Sequence, residues 1–565
     1  MKYFILFILF GQFLSAQDTS VPEAAPSVLE SLKKVKSIRE IQEIVFNAIQ
    51  QNKASEAAED IDKYLLLLNP QNSMHLARAQ VIFDYGKLLK MAKNTQGSLE
   101  FSKWISDPKR FGKYIYTVED KDDVSKSFEI MKTLYEHDPK ERDKYFNLMV
   151  AMSVVWDQNR QWIHHQMGPK KLDYTPELTG RYDYFKMTYT KKVKMSYSRL
   201  SIQDLIFVVD TPVPLSELEW AKENVSCSVS RWGSLYPSIV YNHKRLNSGQ
   251  YDWIHGDYKL EDIQKFGGIC VDQAYYTIMT ARANGIPAMY FHGVGRNAGE
   301  RHAWAGHMIS TNKWNLEVGR YSQHNYVTGF ATDPQTNSEM TDHLLDFKCS
   351  GEFSKDTFYD CKRLTEMAEF YKAAKDLEKS FATASQALRK NDLYLPAWDL
   401  VEKYYLEKKE HLKLVYTLKS KMNSFKKYPD FAYEIGQNAI EILEEIGKER
   451  EAEALADLME KSIKTREDLS ETFVKDKVKS LYESKKADEG LKLYEKYLSK
   501  QKNMYDKIEE DLQLYLKYTK ENDQTKRAPT FLRRFLRGSR YNSLKKYLAE
   551  AYRNNGEDSR ADKIK

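Results

Sequence analysis

Cys270 and His302 are the residues of this chain whose types and spacing could do covalent chemistry. Cys270 follows two glycines at what reads as a helix start, and His302 lies further along the same segment, with acidic residues beyond it. A free thiol is a poor nucleophile near neutral pH because its pKa is ~8.5. A helix N-terminus and a nearby imidazole can lower that pKa and hold the thiolate ready. The order Cys, His, acid therefore predicts acyl transfer on an amide or ester.

The elements that must position these groups can be read from the same segment. Gly267 and Gly268 permit a tight turn into a helix predicted from Cys270 to about Asn284. The first turn of that helix places the sulfur at the positive end of the macrodipole, where unsatisfied N–H groups can also receive an oxyanion. Strand-like segments follow at 288–292 and 313–318. The pattern predicts an α+β domain.

Four pieces in this order resemble the transglutaminase-like superfamily, whose cores share a papain-like arrangement. They are Gly268–Ala274 with the helix after it, Gly285–Ala288, His302–Trp304, and Trp314. The resemblance covers roughly residues 200 to 350, much less than half of the chain. It implies Cys270 as the nucleophile and His302 as the general base, on a strand facing Cys270.

The third member of the implied triad is less well defined by the sequence. The family typically carries an aspartate just after the tryptophan that follows the histidine, and here the chain reads Trp314-Asn315-Leu316-Glu317-Val318. Glu317 is longer than aspartate and one residue early, and one step along a strand turns a side chain to the other face. Asp333, before Pro334, is the alternative. Glu317 is preferred, because Asp333 needs a longer excursion of the chain.

At 565 residues the chain is too long for one ordinary core. Apolar residues recur at three- and four-residue steps on both sides of the α+β segment, and hairpins such as 373–408 resemble tetratricopeptide-type units. An irregular helical bundle is the open alternative for these regions. Leu205–Val209 reads as a buried strand or the start of a domain. The predicted division is a signal peptide 1–16, a linker 17–27, a helical region 28–195, the transglutaminase-like domain 196–350, and a second helical region 351–565.

The N-terminus is typical of a signal peptide. Met1-Lys2 precedes the apolar run Tyr3–Phe10, and the small pair Ser15-Ala16 precedes Gln17. No later stretch has the ~20 apolar residues needed to span a bilayer. The sequence thus predicts an exported protein, periplasmic or extracellular, that does not span a membrane. A net charge of +6 spread over mixed Lys and Glu argues against a nucleic-acid partner.

Four cysteines are present: Cys227, Cys270, Cys349 and Cys361. In an oxidising compartment Cys349 and Cys361 could pair, and Cys270 could act as a nucleophile only if it stays unpaired. No CxxC pair or HExxH motif occurs, so no metal and no cofactor is predicted.

Two functions from different classes follow. The first is a cysteine enzyme acting on a protein or peptide amide, with an amine, water or another peptide as the acyl acceptor. The second is an inactive scaffold that binds a protein partner through its helical regions.

Overall fold

A computed structural model describes residues 26–92, 99–160, 163–167, 177–191, 195, 200–294, 301–320, 328–349, 356–464, 466–483, 486–500, 505–537 and 542–564. The predicted signal peptide, 1–16, and nearly all of the predicted linker lie outside these residues. Within the described part, no helix is both long and apolar enough to cross a bilayer.

The N-terminal region is helical, as its periodicity predicts. In the helix Ile38–Gln50, the side chain of Ser37 caps the first turn, and Ile41, Val45 and Ala48 form the buried stripe. Its helices are α1 (Val28–Lys34), α2 (Ile38–Gln50), α3 (Ala54–Leu65), α4 (Ser73–Ala92), α5 (Leu99–Ile105), α6 (Pro108–Ile115), α7 (Val124–His137), α8 (Phe146–Val155) and α9 (Leu178–Lys191), with a 3₁₀ turn at His165–Met167.

The run Leu205–Val209, one of whose interpretations was a buried strand, is a helix. It lies in α10 (Ile202–Val209), which begins with a capping box between Ser201 and Asp204. The side chains from Leu205 to Val209 are all buried. A helix buried on every side has no polar face, so its hydrophobic pattern matches that of a buried strand.

The central region combines helices with a small antiparallel sheet of strand order β3-β2-β1-β4-β5. Helix α14 packs against β2 and β1. The elements are α11 (Leu215–Asn224), a 3₁₀ turn Val229–Leu235, α12 (His243–Asn247), α13 (Leu260–Phe266), α14 (Cys270–Ala283), β1 (Ala288–Val294), β2 (Arg301–Ser310), β3 (Lys313–Val318), β4 (Phe330–Thr332), β5 (Glu339–Thr341) and α15 (Asp342–Lys348). The predicted α+β fold between helical regions is confirmed.

The second helical region runs from Asp356 through most of the remaining chain, in amphipathic helices joined by short turns. Neighbouring helices pack in pairs, such as α16 with α17 and α20 with α21. They are α16 (Asp356–Ala373), α17 (Leu377–Lys390), α18 (Leu395–Glu407), α19 (His411–Phe425), α20 (Pro429–Glu445), α21 (Glu449–Ile463), α22 (Glu467–Glu483), α23 (Ala487–Lys500), α24 (Tyr505–Glu521), α25 (Arg527–Phe535), a 3₁₀ turn Asn542–Leu544, α26 (Lys545–Asn554) and α27 (Asp558–Ala561).

A buried ionic cluster ties the first helical region to the central helix. Asp210, just after α10, pairs with Arg160 of the N-terminal region at 2.7 Å and with Arg282 of α14 at 2.8 Å. Burial opposes ionisation of Asp210, but the two guanidinium groups outweigh it and lower the pKa of this carboxyl group. The helix that carries Cys270 is therefore anchored at its C-terminal end by charge as well as by packing.

Candidate active site

The turn into α14 requires glycine at both predicted positions. Gly267 has φ +72°, and a Cβ there would collide with the carbonyl oxygen of Val240. At Gly268 a Cβ would collide with the side chain of Asp272. The Gly268 N–H donates to the Val240 carbonyl at 3.0 Å. The chain thus passes close beside a neighbouring segment and delivers Cys270 as the first residue of α14.

The buried side chain of Asp272 fixes the start of α14 through hydrogen bonds. Its carboxylate accepts hydrogen bonds from the Ile269 N–H at 2.7 Å, from Arg245 Nη1 at 2.6 Å and from the Tyr258 hydroxyl at 2.6 Å. The Asp272 side chain is fully buried and that of Arg245 is nearly so. A buried carboxylate with a paired guanidinium and two further donors is a satisfied site, so its role is to fix the position of Cys270.

An aromatic cluster supports the same helix start. His164 lies edge-on to Tyr258 and stacks on Tyr290, and its Nε2 is 3.0 Å from the Tyr258 hydroxyl oxygen. Burial lowers the pKa of His164 to about 3, so this imidazole is neutral at physiological pH. It packs and hydrogen-bonds without carrying charge.

The Cys270 thiol is buried, with 9 % of the residue exposed. Burial raises its pKa, and hydrogen bonds from the backbone N–H groups of Ala303 and Val271 offset only part of that shift. The direction is opposite to the one expected from a helix N-terminus and a nearby imidazole, because the desolvation of the buried thiol outweighs the backbone N–H groups that lower its pKa. Since the resting thiol is protonated at neutral pH, its chemistry requires a base.

His302 lies near the start of β2, opposite Gly293 of β1. Its Nε2 is 2.6 Å from the carbonyl oxygen of Gly319, and its ring stacks on Trp304 with the centroids 6.2 Å apart. The backbone N–H of Ala303, the residue directly after His302, is one of the groups that lower the pKa of the Cys270 thiol. Because α14 packs on β2, the structure brings Cys270 close to the peptide unit that follows His302.

The two acidic candidates, Glu317 and Asp333, both have ion-pair partners of their own. Glu317 on β3 has 65 % of its side chain exposed and pairs with Arg320 at 2.9 Å. Asp333 is buried after β4, where it accepts from the Gln335 N–H at 2.9 Å and pairs with Lys348 at 3.2 Å. The described contacts of both carboxylates are thus with groups other than His302. Their assignment as third member stays a prediction from the sequence.

Tyr236 and Arg320, which the sequence did not single out, contact the neighbours of His302 on β2. The Tyr236 hydroxyl donates to the Ala303 carbonyl at 2.8 Å, and Arg320 lies over the Trp304 ring at 5.1 Å while pairing with buried Asp342 at 2.8 Å. Gly319 was visible in the sequence only as a glycine after a strand. The other contacts join segments distant along the chain, and such contacts leave no local signal.

An open cavity of about 410 Å³ lies beside this site. Two of its lining residues, Tyr236 and Gly319, make the hydrogen bonds to Ala303 and His302 described above. The cavity is lined by Ser230, Arg231, Gly233, Ser234, Tyr236, Pro237, Asn315, Val318 and Gly319. The cavity lies between the Val229–Leu235 turn and the end of β3, and neither Cys270 nor His302 is among these lining residues.

Among the described residues, Cys349 and Cys361 are not joined by a disulfide, so the pairing considered from the sequence is absent, and the Cys361 thiol instead donates to the Ala387 carbonyl at 3.3 Å. Over the same part of the chain, no three His, Cys, Asp or Glu side chains come together as a metal site.

The helix that begins at Cys270 packs on an antiparallel sheet whose strand β2 carries His302, which is an α+β arrangement. Residues 232–316 match the family model of the transglutaminase-like superfamily, which confirms the resemblance seen in the motifs. The match includes Cys270 and His302 and ends just before Glu317. Among curated proteins no match was found. A transglutaminase-like domain supports a cysteine acyl-transfer or peptidase role in general terms.

The raised pKa of Cys270 predicts the pH dependence of its alkylation. Only the thiolate reacts, and burial raises the pKa of Cys270, so the labelling rate by iodoacetamide should keep rising beyond about pH 8.5, the pKa of a free thiol. Mass spectrometry of the Cys270 peptide after timed labelling measures this rate, with Cys227, which is partly exposed, as the internal reference. A plateau below about pH 8 would show a pre-formed thiolate and contradict the prediction.

Proposed function

We propose that the protein is an exported cysteine enzyme that transfers or hydrolyses an acyl group at a protein or peptide amide. The observation that carries the proposal is the position of Cys270 in the first turn of α14, the helix that packs on β2, the strand that carries His302. The family match and the cavity beside β2 support it.

In the proposed reaction His302 removes the proton of the thiol as sulfur attacks the substrate carbonyl carbon. The tetrahedral oxyanion is received by N–H groups of the first turn of α14. The C–N bond then breaks, the leaving amine takes the proton from His302, and an acyl thioester remains on Cys270. A primary amine or water attacks the thioester and restores the thiol. Catalytic contacts are often loose in a resting site and tighten when substrate binds.

The acceptor distinguishes a transferase from a hydrolase. Incubation with a glutamine-containing generic protein and a fluorescent primary amine should give Cys270-dependent incorporation if an amine is the acceptor. New chain termini without incorporation indicate a peptidase, and release of ammonia alone indicates deamidation. Absence of all three products with every generic protein and peptide tried, while Cys270 stays alkylatable, would count against the proposal.

The burial and raised pKa of Cys270 favour a second candidate, a transglutaminase-like scaffold that binds a protein partner through its helical regions. A thiol kept buried and protonated is less reactive than one on the surface. Comparison of Cys270 alkylation before and after His302→Ala separates the two. A rate that depends on His302 supports the enzyme, whereas a slow rate that ignores His302 supports the scaffold.

We expect Ser234→Trp to block the cavity beside β2. Ser234 is an exposed lining residue, so an indole there fills space that a substrate would need without replacing a buried group. The expected result is a rise in KM of about tenfold, the effect of losing ~1.4 kcal/mol of binding, with little change in unfolding temperature. Steady-state kinetics with a protein substrate measure it. Ser238→Trp, exposed four residues further on and outside the lining, is the matched control, and equal kinetics for the two variants would contradict the role of the cavity.

A further inference from the structure

A group of large apolar side chains is exposed in the segment that leads into Cys270. Each is at least 37 % exposed, and they are Val240, Leu246, Tyr251, Ile254 and Phe266. Single exposed apolar side chains are normal, whereas a group of them marks a binding surface. We propose that this group, the apolar surface, binds the polypeptide that donates the acyl group. The preferred substrate is then an extended segment with large apolar residues beside the reactive amide. The proposal rests on the proposed function, because it names the substrate class of that site.

Backbone contacts place one end of the apolar surface against the start of α14. The Val240 carbonyl accepts the hydrogen bond from the Gly268 N–H, and the Asn242 N–H donates to the Gly268 carbonyl at 2.9 Å. Phe266 ends α13, so only the short turn 267–269 separates it from Cys270. A substrate side chain that rests on Val240 or Phe266 therefore lies beside the turn that delivers the nucleophile.

Further contacts connect the apolar surface to the framework of the site. His255, directly after Ile254, stacks on Phe266 with the ring centroids 4.4 Å apart, which makes Ile254 and Phe266 neighbours. Arg245 donates through Nη2 to the Tyr251 carbonyl, and the same guanidinium pairs with the buried carboxylate at the start of α14. The loop that presents the apolar surface is thus fixed by the network that fixes Cys270.

The size of the apolar surface favours a short segment of substrate over a stable partner. Its five side chains expose on the order of a few hundred Å² of apolar area, whereas a stable interface buries about 800 Å² on each partner. Cys270 is nearly buried, so the broad face of a folded protein cannot reach its thiol. An extended segment can rest its apolar side chains on the surface while its amide reaches the sulfur.

The charges near the apolar surface favour a polypeptide over a membrane. Exposed residues of both signs lie next to its members along the chain: Lys244, Asp252, Lys259, Glu261 and Lys265. An apolar centre with a mixed polar rim is typical of a protein interface. A surface that inserts into a bilayer carries a predominantly basic rim, since it meets anionic lipid headgroups.

Fluorescence anisotropy with the Cys270→Ala protein tests binding without turnover. The probes are two short labelled peptides with a central glutamine, one flanked by leucine and phenylalanine and the other by serine at the same positions. We expect the apolar peptide to bind about tenfold more tightly, and the double variant Val240→Ser, Ile254→Ser to reduce this preference to within about threefold. Both side chains are exposed, so the unfolding temperature should not change.

The matched control is Leu412→Ser, because Leu412 is highly exposed on α19, outside the apolar surface. It should keep the full preference. Equal binding of the two peptides by the parent, or the same preference in the double variant as in the control, would overturn the proposal. Binding to phosphatidylglycerol-containing vesicles that the double variant loses, without any peptide preference, would show a membrane-binding surface and would also overturn it.

Steady-state kinetics separate this proposal from the proposed function. With Cys270 present, the double variant should raise KM for the apolar peptide by about tenfold and leave kcat unchanged, since the surface contributes binding alone. Acyl transfer from both peptides with equal kcat/KM in the parent would overturn the substrate preference and leave the proposed function. A preference in binding with no acyl transfer from either peptide would defeat the proposed function and leave a peptide-binding surface.

Discussion

Replacing Asp272 by Asn is expected to lower the free energy of unfolding by about 3–5 kcal/mol, the usual cost of removing one partner from a buried ion pair. The change leaves the Arg245 guanidinium buried without its countercharge, and it turns an acceptor of three hydrogen bonds into a group that must also place an NH₂. Because the Ile269 N–H is one of the three donors, the start of α14 loosens with it, and Cys270 loses its fixed position.

Chemical denaturation, monitored by the reaction of Cys270 with a thiol reagent, measures the loss of stability at the start of α14. Asp252→Asn is the matched control, since Asp252 is exposed in the neighbouring loop and its loss should change stability by less than about 0.5 kcal/mol. Equal stability of the two variants would mean that the Asp272 network does not hold the helix start.

Replacing His302 by Ala should slow acyl transfer by 10²- to 10⁴-fold, the range that general-base catalysis contributes. Cys270 has a raised pKa and therefore depends on a base more than a thiol with a depressed pKa would. Single-turnover kinetics with an activated ester isolate the acylation step. In a Cys270→Ala background, His302→Ala should cause no further loss of acylation rate, because the two residues act as one unit.

The matched control for this prediction is His243→Ala. His243 is exposed at the start of α12, so its removal should leave the acylation rate unchanged. A loss in both variants would point to a general structural effect, and a loss in neither would remove His302 from the mechanism.

The local elements of the site could be predicted well from the sequence. The helix predicted from Cys270 to about Asn284 is α14, and the strand-like segments predicted at 288–292 and 313–318 lie in β1 (Ala288–Val294) and β3 (Lys313–Val318). These elements are marked by glycines at forced turns and by short apolar runs, both of which are local signals. The run at 205–209 could not be assigned to a strand or a helix in the same way, because complete burial removes the periodicity on which the distinction depends.

The burial of Cys270 and the hydrogen-bond contact of His302 could not be predicted from the sequence. Whether a helix N-terminus or burial controls the pKa of Cys270 depends on how tightly α14 packs on β2, and that packing is set by distant residues. Glu317 and Asp333 remain predictions for the acidic partner of His302, whereas the contact of its Nε2 with the Gly319 carbonyl was not predicted. Sequence motifs identify side chains. Because every residue has a backbone carbonyl group, a carbonyl acceptor leaves no pattern in the sequence.

The most direct test of the account is covalent capture of the acyl-enzyme. Incubation of the native protein with 4-nitrophenyl acetate, followed by mass spectrometry of intact protein and peptides, should show one acetyl group on Cys270. A primary amine or water should then discharge it, and acylation should be much slower in His302→Ala. Acetylation that spares Cys270, or that proceeds at the same rate without His302, would contradict the central claim that these two residues form an acyl-transfer site.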